Sequence, residues 1–226
     1  MKLFFYNKFI LFFEFIITLP FMWYAFNHIP ILKKGGYVMI PLSYCLLISL
    51  FIAIERVIYL KKIEFNSGKL LRKIEKSTDT NDNGLIEICN KYSSPSADIV
   101  KTIYNHRNKS EEKIREIIEE LGSLEVHKLQ MNLDYLGLFG RISPLLGLLG
   151  TVTGLLNAFN QLVKLSANIS ASVFAGGISE ALLTTVYGLC IAIPVLVVHQ
   201  YFSQIIKKII YQMEKTASTA LLIFKN

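Results

Sequence analysis

The chain has 226 residues, of which 52% are hydrophobic, and a formal net charge of +7. Its mean hydropathy of +0.42 is too high for an ordinary soluble domain and indicates a membrane protein. The positive charge does not indicate nucleic-acid binding, because residues 61–134, the longest polar region, carry 13 basic and 13 acidic side chains.

The first predicted element is an apolar, aromatic-rich N-terminal segment, which occupies residues 1–34 together with its linker. Residues 9–26 are long enough to cross a bilayer, although Glu14 and Pro20 lie among them. The same composition fits an amphipathic helix that lies at the membrane surface. The sequence leaves open whether this anchor spans the membrane or lies on it.

Three further apolar stretches predict transmembrane helices. The first occupies residues 35–60, and the second and third lie within residues 135–203, joined by a short link that contains Ser and Asn. Each contains at least about 20 residues, the length that a helix needs to cross a bilayer. Near the end of the first helix, Glu55 and Arg56 are expected either to pair or to extend towards the lipid headgroups. The predicted fold is an all-α membrane protein.

The polar region, residues 61–134, is predicted to be mostly helical, with turns at residues 77–84 and 93–96. Another helix is expected to begin after Ser110, and only Gly122 and Gly137 interrupt the pattern from there to the second transmembrane helix. Residues 204–226 continue the apolar stripe of the third transmembrane helix. We therefore expect long helical extensions beyond the membrane.

The distribution of Lys and Arg predicts the orientation. These residues cluster after the first transmembrane helix, before the second and after the third, whereas the link between the second and third carries only Lys164. The positive-inside rule then places residues 61–134 and the C-terminus in the cytoplasm, and the link on the opposite side.

Glu180 is the main functional candidate, because it is the one carboxylate within the paired apolar segments. An acid at the middle of a membrane helix costs roughly 2.5–3.5 kcal/mol on insertion scales, and such residues usually mark an ion or proton path. Thr184 follows four residues later and shares its helix face. Thr151 and Thr153 lie midway along the preceding segment, where a hydroxyl often bonds its own helix backbone.

Small residues in the second transmembrane helix predict close helix packing. Gly147, Gly150 and Gly154 follow one another at short intervals, and the last two form a small-xxx-small pattern. Pro144 forfeits a backbone hydrogen bond and is expected to kink the helix near its start. These residues are therefore assigned to packing.

Three motifs then resemble one family. Residues 143–155 read SPLLGLLGTVTGL, residues 178–194 read ISEALLTTVYGLCIAIP, and residues 35–60 begin GGYVMIPL and end IERVIYL. In this order, and over about half the chain, they resemble the three helices of the MotA/TolQ/ExbB proton-channel family. They are most similar to its ExbB and TolQ branch.

The resemblance implies roles for individual residues. Glu180 matches the functional acid of the third helix, Thr185 its pore-facing threonine, and Thr151 the threonine of the second helix. Helical geometry favours Thr184 as the neighbour of the acid, so Thr184 is kept as the second choice.

The resemblance also implies an assembly in the bacterial inner membrane. Five copies are expected to enclose a pair of single-helix partners, similar to ExbD or TolR, whose Asp completes the proton path. The complex would energise an outer-envelope process through a TonB- or TolA-like protein. TonB-dependent import is the first expectation, and TolQ-like envelope maintenance during division is the alternative.

The rest of the sequence predicts no enzyme, cofactor or metal, because the cysteines and histidines follow no ligand spacing and no nucleophile has an evident base. A small-solute transporter is disfavoured by the lack of internal symmetry and of broken half-helices. A scaffold in which Glu180 only docks the partner stays open.

Overall fold

A computed structural model describes residue 30 and residues 34–76, 82–164 and 171–225. Within these ranges the chain is almost entirely α-helical and contains no β-strand, which confirms the predicted all-α fold. The predicted N-terminal anchor and the link at residues 165–170 lie outside the described residues. The helices are α1 (Met39–Lys76), α2 (Asp82–Asn90), α3 (Pro95–Asn105), α4 (Glu111–Gln130), α5 (Leu133–Lys164) and α6 (Ala171–Lys225).

Three helical stretches of the described chain are long and apolar enough to cross a membrane. They are Met39–Ile74, Glu111–Gln161 and Ala175–Phe224, as judged by length and composition. The second stretch includes α4 and continues into α5. All three exceed the hydrocarbon thickness of a bilayer, because 20 helical residues already span about 30 Å.

Helix α1 begins just after a glycine turn and does not end where its apolar sequence ends. Gly36 has φ of +68°, a value that glycine adopts without strain, and its carbonyl accepts from the Met39 amide at 3.2 Å. The helix then runs for 38 residues, so it passes the predicted boundary at residue 60 and continues to Lys76. Charged side chains replace apolar ones along this second half without breaking the helix.

After the end of α1, the rest of the polar region folds into three shorter helices. Helix α2 already begins at Asp82, so the predicted turn at residues 77–84 is wrong for its last three residues. The predicted turn at residues 93–96 positions Ser94, whose side chain accepts from the Ala97 amide at 3.3 Å, and Pro95 then occupies the first turn of α3. Helix α4 begins directly after Ser110, as predicted, although the Ser110 side chain makes no capping hydrogen bond.

The break between α4 and α5 is not at either predicted glycine. Gly122 lies inside α4 and Gly137 lies inside α5, where each is flanked by good helix formers. The chain instead turns at Met131 and Asn132, and Asn132 has φ of +67°. Asn tolerates this left-handed conformation better than most residues, and this accounts for the position of the break.

Helices α5 and α6 are long and both contain an internal proline. Pro144 lies inside α5, which is helical on both sides of it, so the helix is not interrupted there. Helix α6 has 55 residues and continues from the predicted third transmembrane segment to Lys225. At a rise of 1.5 Å per residue it is about 80 Å long, which leaves a large part of it beyond a bilayer.

The chain divides into two compact units. The first consists of the described residues up to Ile52 together with Tyr135–Val198. Its buried side chains come from all three long helices and include Leu42, Ile52, Ala158 and Ala181. Large apolar side chains remain exposed along α5 and α6 of this unit, as expected for surfaces that contact lipid or other subunits: Leu148, Val152, Leu156, Val186 and Ile193.

The second unit consists of Ala53–Asp134 and His199–Asn226. Its core includes Arg56, which is only 1% exposed. The Arg56 guanidinium lies 3.0 Å from the Glu55 carboxylate, although not at a hydrogen-bonding angle, and Nη1 donates to the Leu129 carbonyl at 3.4 Å. Of the two roles expected for Glu55 and Arg56, the structure has the pairing. Arg56 also binds a carbonyl that the end of α4 leaves without a helical partner.

Candidate functional site

Glu180 lies in α6 within the first unit and is half-buried. Its carboxylate lies directly over the backbone of Gly36, so that a side-chain carbon added at Gly36 would overlap the Glu180 Oε1 atom. The turn before α1 thus reaches the acid of the third membrane helix. Within the described part of the chain, Glu180 has no hydrogen-bond or ion-pair partner.

Thr184 and Thr185 both direct their hydroxyls towards α5. The Thr184 hydroxyl donates to the Ala181 carbonyl at 2.7 Å and lies 3.3 Å from the Gly147 carbonyl. The Thr185 hydroxyl donates to the same Gly147 carbonyl at 3.0 Å. Thr184 is 1% exposed, whereas Thr185 is half-buried, so only Thr185 keeps an open side.

The hydroxyls of the second membrane helix bond their own backbone. Thr151 donates to the Leu148 carbonyl at 2.6 Å, and Thr153 donates to the Leu149 carbonyl at 2.9 Å. This is the local pattern common for hydroxyls in membrane helices. Within one described chain, Thr151 makes no hydrogen bond to Glu180 or Thr185.

The predicted packing glycines lie where α5 meets α6. A Cβ atom added at Gly150 would overlap Thr184, and one added at Gly147 would lie 3.0 Å from the Thr185 Cα atom. At Gly154 the added atom would lie 3.0 Å from the Ala181 Cβ atom. Since carbon atoms pack at about 3.5–4.0 Å, none of these positions has room for a side chain.

Two further contacts lie nearby, one between α5 and α6 at Gly188, whose small size also indicates packing, and one between α1 and α6. On α6, an added Cβ at Gly188 would lie 2.6 Å from the Ser143 carbonyl, the residue before Pro144. The Ser143 hydroxyl donates to the Phe139 carbonyl at 2.7 Å. Between α1 and α6, the Ser43 and Tyr187 hydroxyls lie 3.4 Å apart.

The site combines a carboxylate with hydroxyls, which are side chains of the kind that proton paths in membranes use. The Glu180 carboxylate can gain and lose a proton, and the Thr185 hydroxyl can hydrogen-bond without holding a charge. The close approach of α5 and α6 at the glycines fixes the position of the backbone that carries both residues. Among the described residues, no three His, Cys, Asp or Glu side chains come together as a metal site.

Residues 91–215 match the MotA/TolQ/ExbB proton channel family. The chain is 31% identical over 170 residues to the biopolymer transport protein ExbB-like 3 of Synechocystis sp., a match that covers 74% of this chain and 81% of that protein.

Two further relatives come from other bacteria. The chain is 28% identical over 189 residues to the biopolymer transport protein exbB1 of Vibrio cholerae, which covers 81% of this chain and 82% of that protein. It is 42% identical over 81 residues to the Tol-Pal system protein TolQ of Pseudomonas aeruginosa, which covers 36% of this chain and 35% of that protein. The chain therefore belongs to the MotA/TolQ/ExbB proton channel family.

Proposed function

We propose that this chain is the proton-channel and stator subunit of a bacterial inner-membrane complex that uses the proton motive force. The observation that carries the proposal is Glu180, an acid in an apolar helix with no polar partner in the described part of its own chain. Such an acid is costly to hold in a membrane. Acids in this position therefore usually have a function or a partner outside the chain. Family membership and three long apolar helices support this reading.

Within the proposed mechanism, Glu180 takes up a proton from one side of the membrane and releases it to the other. Thr185 keeps an exposed side and relays or orients the proton. Thr151, on the neighbouring helix, would contribute its hydroxyl from an adjacent subunit, since it does not reach Glu180 within one chain. Thr184 is the weaker candidate because packing against Gly150 buries it.

The proposed assembly is a homopentamer around a pair of single-helix partners similar to ExbD or TolR. Exposed apolar side chains on α5 and α6 supply surfaces for neighbouring subunits. An Asp in the partner helix would complete the proton path. We expect residues 61–134 in the cytoplasm, so a cysteine placed at Lys101 should resist impermeant thiol reagents added outside cells, and one placed at Asn168 should react.

The work performed is proposed to be energy transfer to the outer envelope, without enzymatic chemistry. The ExbB relatives favour TonB-dependent import, because they are named biopolymer transport proteins. The similarity to a Tol-Pal system protein supports envelope maintenance as the second candidate. Deleting the gene separates the two, since the first role predicts loss of import and the second predicts leaky, poorly dividing cells.

Proton flux with and without the partner tests the channel itself. The chain is reconstituted into liposomes alone and together with its single-helix partner, and an internal pH dye reports proton entry under an applied potential. We expect flux only when both proteins are present. If the complex assembles but conducts no protons, the chain is a scaffold that docks its partner.

A further inference from the structure

A groove of about 670 Å³ lies on the second unit between α1 and α6. Its lining is strongly basic, with four cationic side chains and one carboxylate. The charged residues that line it are Lys61, Lys69, Arg72, Lys208 and Glu64.

Two of the four cations are already engaged inside the groove. The Lys208 ammonium lies 2.7 Å from the Glu64 carboxylate, and the Lys69 ammonium lies 4.0 Å from the centre of the Phe65 ring. In the part of the chain that the structure describes, Lys61 and Arg72 have no such partner. The groove therefore keeps two free cations and an excess of positive charge.

The spacing of the residues places both free cations along one side of the groove. Lys61, Gly68 and Arg72 fall at i, i+7 and i+11, so they follow one face of α1. A Cβ atom added at Gly68 would lie 3.3 Å from the Gln212 amide nitrogen, so glycine keeps that stretch open. Gln212 lines the groove from α6 and is 8% exposed.

The groove begins where the apolar sequences end. Lys61 directly follows the apolar stretch of α1, and Lys208 follows Ile205 and Ile206 of α6. The Glu64–Lys208 ion pair links the two helices at this level. Basic pockets between helices at the membrane boundary suit the phosphate of an anionic lipid, and Arg can bind a phosphate through two parallel hydrogen bonds.

We propose that this groove binds an anionic phospholipid headgroup from the adjacent leaflet. Lys61 and Arg72, about 16 Å apart along α1, supply the positive charge of the groove, and the Gln212 amide supplies a neutral donor. Lipid binding in this groove does not depend on proton transport, so a negative result here would leave the proposed function untouched. Binding in this one groove, next to two particular cations, differs from general attraction of lipids to a positively charged surface.

A lipid titration of the purified full-length chain in neutral detergent tests the proposal. Spin-labelled phosphatidylglycerol and phosphatidylcholine are compared on the wild type and on Lys61→Gln/Arg72→Gln. The matched control is Lys62→Gln/Lys73→Gln, which removes the same charge from the same helix with the same spacing. Neither control residue lines the groove.

We expect phosphatidylglycerol to bind the wild type more tightly than phosphatidylcholine. Loss of two juxtamembrane cations should weaken that binding roughly 30-fold, which corresponds to about 1 kcal/mol for each cation. The control should bind within a few-fold of the wild type.

Four results would overturn the proposal. Equal weakening in both double variants would mean that general surface charge attracts the lipid. An unchanged affinity in Lys61→Gln/Arg72→Gln would place the lipid elsewhere. Displacement of the bound lipid by inorganic phosphate at equal concentration, or preferential binding of a poly-glutamate peptide, would assign the groove to a soluble anion or an acidic protein segment.

Discussion

Replacing Gly188 by Ala tests how closely α5 and α6 approach each other. The new methyl group would lie 2.6 Å from the Ser143 carbonyl and 3.2 Å from the Gly147 Cα atom. Carbon–oxygen contacts normally fall at about 3.3–3.6 Å. Both neighbouring atoms belong to a helix backbone, so no change of side-chain rotamer can relieve the overlap. The two helices must separate by several tenths of an ångström.

The magnitude follows from a comparison with Gly176→Ala on the same helix. No heavy atom in the described part of the chain lies within 4 Å of a Cβ at Gly176, apart from its neighbours along the helix. Both variants gain the better helix propensity of Ala, about 1 kcal/mol. Only Gly188→Ala suffers overpacking, which typically costs about 1–3 kcal/mol. The difference between the two variants therefore isolates the contact.

The assay is reversible unfolding of both variants in detergent, followed by circular dichroism. We expect Gly188→Ala to unfold about 1–3 kcal/mol more easily than Gly176→Ala. Equal stability of the two variants would show that α5 and α6 do not approach at Gly188, and would remove the support that their contact gives to Thr185.

Three other predictions concern different parts of the chain. Thr216 is fully buried and its hydroxyl has no hydrogen-bond partner among the described residues, so Thr216→Val should raise the free energy of unfolding by about 1–3 kcal/mol. A lower free energy in detergent unfolding would contradict this. Burial raises the pKa of Cys89 to about 11, so at pH 8 the thiol stays protonated, and a maleimide should label Cys89 only as the unit unfolds. Native labelling as fast as in denaturant, measured by peptide mass spectrometry, would refute that. Gly36→Ala places a methyl group on the Glu180 carboxylate and strains a φ of +68°, so it should slow proton uptake while the complex still assembles. Wild-type uptake in the assembled variant would show that the Gly36 turn does not position the acid.

Much of the fold could be predicted because long apolar runs and small-residue patterns act locally. The extension of α6 past the membrane follows from an apolar stripe that never breaks. The break at Asn132 could not be predicted, since two glycines nearby were more obvious candidates and Asn adopts the left-handed conformation only occasionally.

The candidate site was less accessible to sequence reasoning. Glu180 stands out because an acid is rare in an apolar helix. The approach of Gly36 to Glu180 joins residues 144 positions apart, and no periodicity reports such a contact. Helical spacing alone ranked Thr184 beside Glu180, yet packing against Gly150 buries Thr184 and leaves Thr185 the more open hydroxyl.

The most direct test of the central claim is proton uptake by the assembled Glu180→Gln complex with its partner bound, normalised to complex yield. Gln keeps nearly the same volume and removes the charge, so the complex should assemble normally and take up no protons. Glu180→Asp keeps the acid one methylene further from its path and should retain part of the activity. Wild-type uptake by a well-assembled Glu180→Gln complex would contradict the account, because protons would then pass without this carboxylate.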